Sequence, residues 1–173
     1  MKKAKVLVLL LGLMVLLPGS AAMAFDLFGF GSYWDKQDLD GTWGGGLGLG
    51  IPLFSDYFML EGRAYFFENS DFGTDELKMV PFDVGLQIHV LPGERVDPYI
   101  LGGVSYVWVD EDKIEVDSNA SGYVGAGLDV ELGDSNFLLF GEALYRFNEL
   151  ETEFEEDIDV SGFTGNVGLK VRF

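Results

Sequence analysis

The sequence predicts an all-β fold, an eight-stranded antiparallel up-and-down transmembrane β-barrel, on three observations. Past a short apolar leader, hydrophobicity alternates with a period of two in runs of about ten residues. Those runs are joined alternately by short turns and by longer acidic loops. The polar face of the alternation carries acids and bases in near balance, although the whole chain has a formal net charge of −18.

The leader comes first. Lys2, Lys3 and Lys5 precede an almost purely apolar run from Val6 to Leu17, which Pro18, Gly19 and Ser20 break. Ala22-Met23-Ala24 then places small residues at the two positions a signal peptidase reads. About twelve apolar residues fall short of the ~20 that a membrane helix needs, so an uncleaved anchor is the weaker alternative. The expected organisation is a signal peptide over 1–24 and a barrel over 25–173. The chain has no Cys, which excludes disulfides, thiolate metal sites and lipoprotein attachment. Removing the three leader lysines leaves eight basic residues against 29 acidic ones, a net charge of −21. Such a surface repels phosphate and argues against nucleic acid as a partner.

In the mature chain no segment has a helical period. The first run, roughly Leu27 to Trp34, is short and has no clear inner face. The second sets Trp43, Leu47, Leu49 and Ile51 against Gly44, Gly46, Gly48 and Gly50. The third sets Phe58, Leu60, Gly62, Ala64 and Phe66 against Met59, Glu61, Arg63 and Tyr65. In the fourth, Phe82, Val84, Leu86, Ile88 and Val90 oppose Asp83, Gly85, Gln87 and His89. The fifth, Tyr99 to Val109, is apolar on both faces and cannot be oriented. The sixth sets Val124, Ala126, Leu128, Val130 and Leu132 against Tyr123, Gly125, Gly127, Asp129 and Glu131. The seventh, Phe137 to Phe147, separates Glu142 and Arg146 from Leu139, Ala143, Tyr145 and Phe147. The eighth, Phe163 to Phe173, alternates without a break: Phe163, Gly165, Val167, Leu169, Val171 and Phe173 against Thr164, Asn166, Gly168, Lys170 and Arg172. Ten residues at ~3.3 Å rise, tilted by ~40°, span about 25 Å, the height of an outer-membrane barrel's apolar band.

The connections alternate in kind. Phe54-Ser55-Asp56, Leu91 to Asp97 and Gly133 to Asn136 are short turns. Asp35 to Gly41, Asn69 to Glu76, Asp110 to Ala120 and Asn148 to Asp159 are longer and strongly acidic, the last carrying seven acids. Short turns at one end and long loops at the other are the habit of outer-membrane barrels, with both termini on the short-turn, periplasmic side.

Charge decides which face is inside. The polar face carries Glu61, Arg63, Asp83, Gln87, His89, Asp129, Glu131, Glu142, Arg146, Lys170 and Arg172 among many glycines. A solvated face needs no such balance of signs. An enclosed one does, because an unpaired buried charge costs several kcal/mol. These residues are therefore expected to form a packed polar network inside the barrel, with the apolar face against lipid. Outward aromatics support this: Phe58, Phe137 and Phe173 fall near the periplasmic ends, and Trp43, Phe66, Phe82, Phe147 and Phe163 near the loop ends, as in the two aromatic girdles of a membrane barrel.

With these features the mature chain resembles the small eight-stranded outer-membrane barrels of the OmpA/OmpX kind, the outer membrane protein β-barrel domain or porin-family proteins. Asn166, Gly168, Val171 and Phe173 match the family's C-terminal assembly signal, a polar residue and a Gly followed by hydrophobic positions two apart, the last a terminal aromatic. The stretch from Val80 to Tyr106, with Pro98-Tyr99 and Gly102-Gly103, is similar to a common strand-turn-strand of that family. The resemblance implies recognition by the barrel assembly machinery, passage through the periplasm with chaperones, and residence in the outer membrane as a monomer surrounded by its lipid.

Little points to catalysis or to a cofactor. His89 is the only histidine, and Ser32, Ser105 and Ser121 lie toward the opposite ends of neighbouring or distant strands. The family's deacylases keep a His and a Ser together on one strand, a pattern missing here. Carboxylates suit hard cations, so weak calcium or magnesium binding at the loops is conceivable chemistry. Asp38, Asp40 and Gly41 suggest a calcium loop, but Lys36 and Leu47 stand where ligands are needed. The expected function is structural or surface-exposed and non-enzymatic, with a plugged polar interior and acidic extracellular loops. A narrow passive pore for small solutes or ions, and a soluble lipocalin-like binding barrel, are the alternatives.

Overall fold

The computed structural model describes residues 24–36, 41–67, 70–72, 75–110, 120–147, 149–150, 158–159 and 161–173. The predicted leader up to residue 23, and most of the acidic loops, lie outside them. Eight long strands carry the fold: β1 Asp26–Lys36, β2 Thr42–Leu53, β3 Ser55–Phe67, β4 Asp75–His89, β5 Val96–Asp110, β6 Ala120–Glu131, β7 Phe137–Phe147 and β8 Gly162–Arg172. Each pairs antiparallel with its sequence neighbours. β1 also pairs with β8, from Asp26↔Arg172 to Lys36↔Gly162, which closes the sheet and leaves no edge. Ser70–Phe72 extends β4 as a short hairpin, and Glu149–Leu150 pairs with Ile158–Asp159 beyond β7 and β8.

The register fixes the shape. Following paired residues round the wall leads from Asp26 through Gly50, Glu61, Gly85, Gly103, Tyr123, Arg146 and Gly162 to Lys36. The circuit returns to β1 ten residues further on, a shear of ten. With ~3.3 Å rise and ~4.8 Å between strands, that stagger tilts the strands by about 40°. Eight strands at this tilt enclose a space that side chains alone can fill.

Three short connections lie at the end where β1 begins and β8 stops. Phe54 alone joins β2 to β3, in the left-handed region at φ 57°. Ser55 and Asp56, expected in the turn, already belong to β3. Gly93 and Gly133, at φ 84° and 69°, turn the other two, where a side chain would be strained. At the same end Phe173 N–H donates to Phe25 O at 2.9 Å and the two rings stack 4.7 Å apart. β1 is longer than its sequence suggests, because Asp26 and Lys36 continue its inward alternation.

Alternation sorts the side chains as the fold requires. Phe28, Phe30 and Trp34 of β1 and Tyr99, Leu101 and Ser105 of β5 are buried, which orients the two strands left open above. Outward residues are apolar and exposed over the wall, among them Leu47, Ile100, Val104, Val124, Val167 and Leu169. Trp43, Phe66, Phe147 and Phe163 stand exposed toward the loop end, and Phe58, Phe137 and Phe173 toward the turn end. A soluble barrel keeps its charges outside and its apolar face within; here the two are exchanged.

The barrel interior as candidate functional site

The interior is built in three levels. In the middle, Arg63 on β3 bonds through both terminal nitrogens to Glu142 on β7, Nη2 reaching Oε1 at 2.7 Å. The same Nη2 donates to Glu61 Oε2 at 2.6 Å, and so does Gln87 Nε2, also at 2.6 Å. Tyr99 OH donates to Glu142 at 2.7 Å, Tyr123 OH to Glu61 at 3.3 Å, and Asn166 Nδ2 to Glu142 Oε2 at 3.2 Å. One guanidinium thus serves two carboxylates whose remaining lone pairs meet hydroxyl and amide donors. Removed from water, an ion pair stands only with such additional bonds.

Toward the loops, Arg146 on β7 clasps Asp83 on β4 by Nη1 at 3.0 Å and Nη2 at 2.7 Å, and donates to Ser105 and Thr164. Its guanidinium carbon lies 4.6 Å from the Tyr65 ring centre and 5.6 Å from those of Trp34 and Tyr123. Aromatic faces suit a weakly hydrated guanidinium. Lys36 lies 5.4 Å over Trp34 and donates to Thr42. Toward the turns, Lys170 pairs with Asp129 at 2.7 Å, Arg172 with Asp26 at 3.3 Å, and His89 Nδ1 with Asp97 Oδ2 at 2.7 Å.

Aromatic rings occupy what the charges leave. Phe28, Phe30, Trp34, Tyr65, Phe67 and Phe140 form one buried cluster, and Tyr99, Leu101, Tyr123 and Leu144 another. The glycines of β2 and β6 make this possible: a Cβ at Gly48 would run into the Phe28 ring, and one at Gly127 into the Tyr99 ring. Gly48 faces Phe28 in register, as Gly127 faces Tyr99.

The residues marked out by the sequence fall as follows. Glu61, Arg63, Asp83, Gln87, His89, Asp129, Glu142, Arg146 and Lys170 are all buried. Arg172 lies at the turn-end rim with its side chain 37% exposed. Glu131 is half-buried at the end of β6 and takes no part in the ion pairs of the described residues. The four C-terminal residues divide between faces. Asn166 bonds Glu142 and Tyr65 inside. Gly168 leaves room beside Phe140 and Phe30. Val171 is half-buried and Phe173 59% exposed on the wall.

Asp26, Asp97, Tyr65, Tyr99 and Tyr123 complete the interior bonding and were not singled out from the sequence as network members. Asp97 lies between Val96 and Pro98 and reads as turn, although counting back by two from Tyr99 places it inward. His89 meets Asp97 and Gln87 and lies against Tyr99. Among the described residues no three His, Cys, Asp or Glu side chains gather as a metal site. Asp38 and Asp40, and the acids of 111–119 and 151–157, fall outside the described residues.

Comparison with known proteins agrees with this geometry. A family model described as outer membrane protein beta-barrel domain matches residues 15–173. No curated protein matches by sequence. Among solved structures, Neisserial surface protein A aligns with a TM-score of 0.66 at 12% identity, over 90% of this chain and 100% of that one. The N-terminal β-barrel domain of Pseudomonas aeruginosa OprF aligns at 0.58 and 15% identity, over 87% and 97%. Yersinia pestis Ail aligns at 0.53 and 19% identity, over 88% and 100%. At such identities the likeness is one of fold.

Proposed function

Because the chain belongs to the outer membrane protein β-barrel domain family, we propose that it is an integral protein of the cell outer membrane, plugged inside, with a structural or surface-exposed role and no catalytic activity. One observation carries the plugged reading. Arg63, Glu142, Arg146, Asp83 and the rings of Phe28, Phe30 and Trp34 fill the interior, each of them buried. The exposed apolar wall between two groups of aromatics supports insertion in lipid. The leader supports export with cleavage after Ala24, and the Asn166-to-Phe173 pattern supports delivery by periplasmic chaperones to the assembly machinery. The closed sheet supports a monomer. Contact with any partner falls to the acidic loops, with weak divalent-cation binding as their simplest chemistry. Ail is known in complex with the heparin analogue sucrose octasulfate; a net charge of −21 on the mature chain argues against so anionic a ligand here.

A narrow passive pore is the second reading, favoured by buried polar atoms that lack a protein partner: Ser32 Oγ, Trp34 Nε1, Asn166 Oδ1 and Arg63 Nε. Such atoms call for water in the interior. Planar-bilayer recording of the refolded barrel decides between them. A silent membrane, with heat-modifiable migration and extraction only by detergent, is the expected result. Stable unitary conductance overturns the plug, and release as a soluble protein overturns the membrane assignment.

A further inference from the structure

We propose that the turn between β2 and β3 is a membrane anchor: the Phe54 ring, with Tyr57 beside it, inserts into the headgroup–acyl boundary of the periplasmic leaflet. The inference deepens the membrane reading and rests on it for the lipid that surrounds the wall.

The backbone supplies the first observation. Phe54 sits in the left-handed region at φ 57°, where a Cβ crowds the chain and glycine is the relaxed residue. The other two turns of this end follow that rule, with Gly93 at φ 84° and Gly133 at φ 69°. Their tips are polar, Gly93-Glu94-Arg95 and Gly133-Asp134-Ser135. Each is also closed by its own bonds: Glu94 N–H donates to Leu91 O at 3.1 Å, and Ser135 Oγ to Leu132 O at 2.6 Å. Only the first turn sets a bulky side chain in the strained position. Strain of this kind persists where the side chain itself has a use.

Nothing inside the protein supplies that use. The Phe54 ring is wholly exposed, so its contacts must come from the surroundings. The sheet around it turns further aromatics the same way. Pairing steps from Pro52↔Met59 to Leu53↔Ser55, which loops Asp56, Tyr57 and Phe58 out of the β2 register. Such a bulge re-aims the side chains it carries, and Tyr57 and Phe58 are both exposed. Phe54 thereby continues the group of outward aromatics that Phe58, Phe137 and Phe173 form at the turn end.

Depth fits the assignment. Phe54 follows Pro52 by two residues, and Pro52 pairs with Met59, next to Phe58. Two residues at ~3.3 Å rise and ~40° tilt advance about 5 Å along the barrel axis. That stays within the headgroup layer, about 5–8 Å thick on each side of the hydrocarbon core, where aromatic rings settle. From Ile51 to Phe58 the one charged residue is Asp56. The contact is therefore apolar and suits a zwitterionic phospholipid.

The chain has no cysteine, so a nitroxide on Phe54→Cys reports one position in the mature barrel refolded into phosphatidylcholine vesicles. Val104→Cys on the exposed wall and Asp134→Cys on the β6–β7 turn give the lipid and water references. The label at 54 should collide more with oxygen, which concentrates in lipid, than with a water-soluble nickel chelate, as at 104 and opposite to 134. Unlabelled variants then test the ring. Phe54→Ala keeps a side chain at the same φ and removes no contact within the protein, yet should lower the folded-to-unfolded ratio in urea at least fivefold. Phe54→Leu should recover most of that loss, and Phe54→Gly should exceed Phe54→Ala. A label at 54 as open to nickel as the one at 134 overturns the anchor, as does a Phe54→Ala barrel within twofold of the wild type. Flotation with the vesicles and heat-modifiable migration test the membrane reading separately. A wet position 54 on a barrel that passes both removes the anchor alone, whereas a barrel that does not float removes both.

Discussion

Replacing Arg63 by Met tests how the interior is held together. The substitution removes the bonds to Glu142 and Glu61 and the approach of the guanidinium to the Phe28 and Phe30 rings, at 5.3 and 6.0 Å. It keeps most of the aliphatic volume. Two buried carboxylates then face each other with no cation between them. Stranding one partner of a buried pair costs about 3–5 kcal/mol. Protonation limits the loss: bringing an ordinary glutamate (~4.3) to its acid at pH 7 costs about 3.7 kcal/mol. Tyr99, Asn166, Gln87 and Tyr123 still serve the two carboxyls, so one protonation relieves most of the repulsion. A loss of about 4 kcal/mol is expected.

The measurement is urea unfolding of the refolded barrel in lipid vesicles, followed by heat-modifiable mobility and tryptophan fluorescence. Glu61→Gln/Arg63→Met/Glu142→Gln is the companion variant. With no charge left to strand, it should return to within about 2 kcal/mol of the wild type, since no ion is left buried without its partner and the two amide oxygens can still accept from Tyr99 and Tyr123. A loss below about 1 kcal/mol in Arg63→Met, or a triple variant no better than the single one, refutes the view that the interior charges depend on one another.

Three further outcomes follow from the packing. Val104→Arg places a charge on the exposed wall of β5; in lipid vesicles it should cost about 2–4 kcal/mol near the midplane, against less than ~0.5 kcal/mol for a surface change on a soluble barrel, and a neutral result removes lipid from that face. Gly48→Ala drives a methyl group into the Phe28 ring and should lose about 1–3 kcal/mol by overpacking, recovered in part by adding Phe28→Leu; no recovery means another contact is responsible. Phe173→Ala forfeits the stacked contact with Phe25, about 0.5–1.5 kcal/mol in refolding from urea. If Phe173 is also read by the assembly machinery, the heat-modifiable fraction in cell membranes should fall severalfold, well beyond that; equal small losses in both settings leave Phe173 a packing residue alone.

Most of the wall is legible in the sequence because its two faces differ in kind. Thr164, Asn166, Lys170 and Arg172 against Phe163, Val167, Leu169 and Phe173 can be read only with a period of two. The same logic fails on β5, where Leu101 points inward and Ile100 and Val104 outward, all apolar. Leu101 is apolar inside because it packs with Tyr99, Tyr123 and Leu144, a cluster drawn from three strands that no local window contains. β1 hides its orientation for a related reason. Phe28, Phe30 and Trp34 are of the residue types expected on a lipid-facing wall, yet all three point inward.

The glycines of β2 explain that reversal, and with it the way the interior reconciles charge with burial. Gly46 and Gly48 lie opposite Phe30 and Phe28 in the register and give up their own side chains to those rings. The rings in turn lie against Arg63, which covers them with a flat cation that needs little water. Arg63 then satisfies Glu61 and Glu142 on two different strands. Glycine, ring, guanidinium and carboxylate form a single succession from wall to axis. On this reasoning the glycines that look like gaps in β2 and the charges that look misplaced in a membrane wall are parts of one arrangement. A side chain added at Gly48 should therefore disturb the Glu61–Arg63–Glu142 group as directly as a change to one of its own members, which the Gly48→Ala barrel tests through the bonding of Gln87 and His89 beyond Glu61.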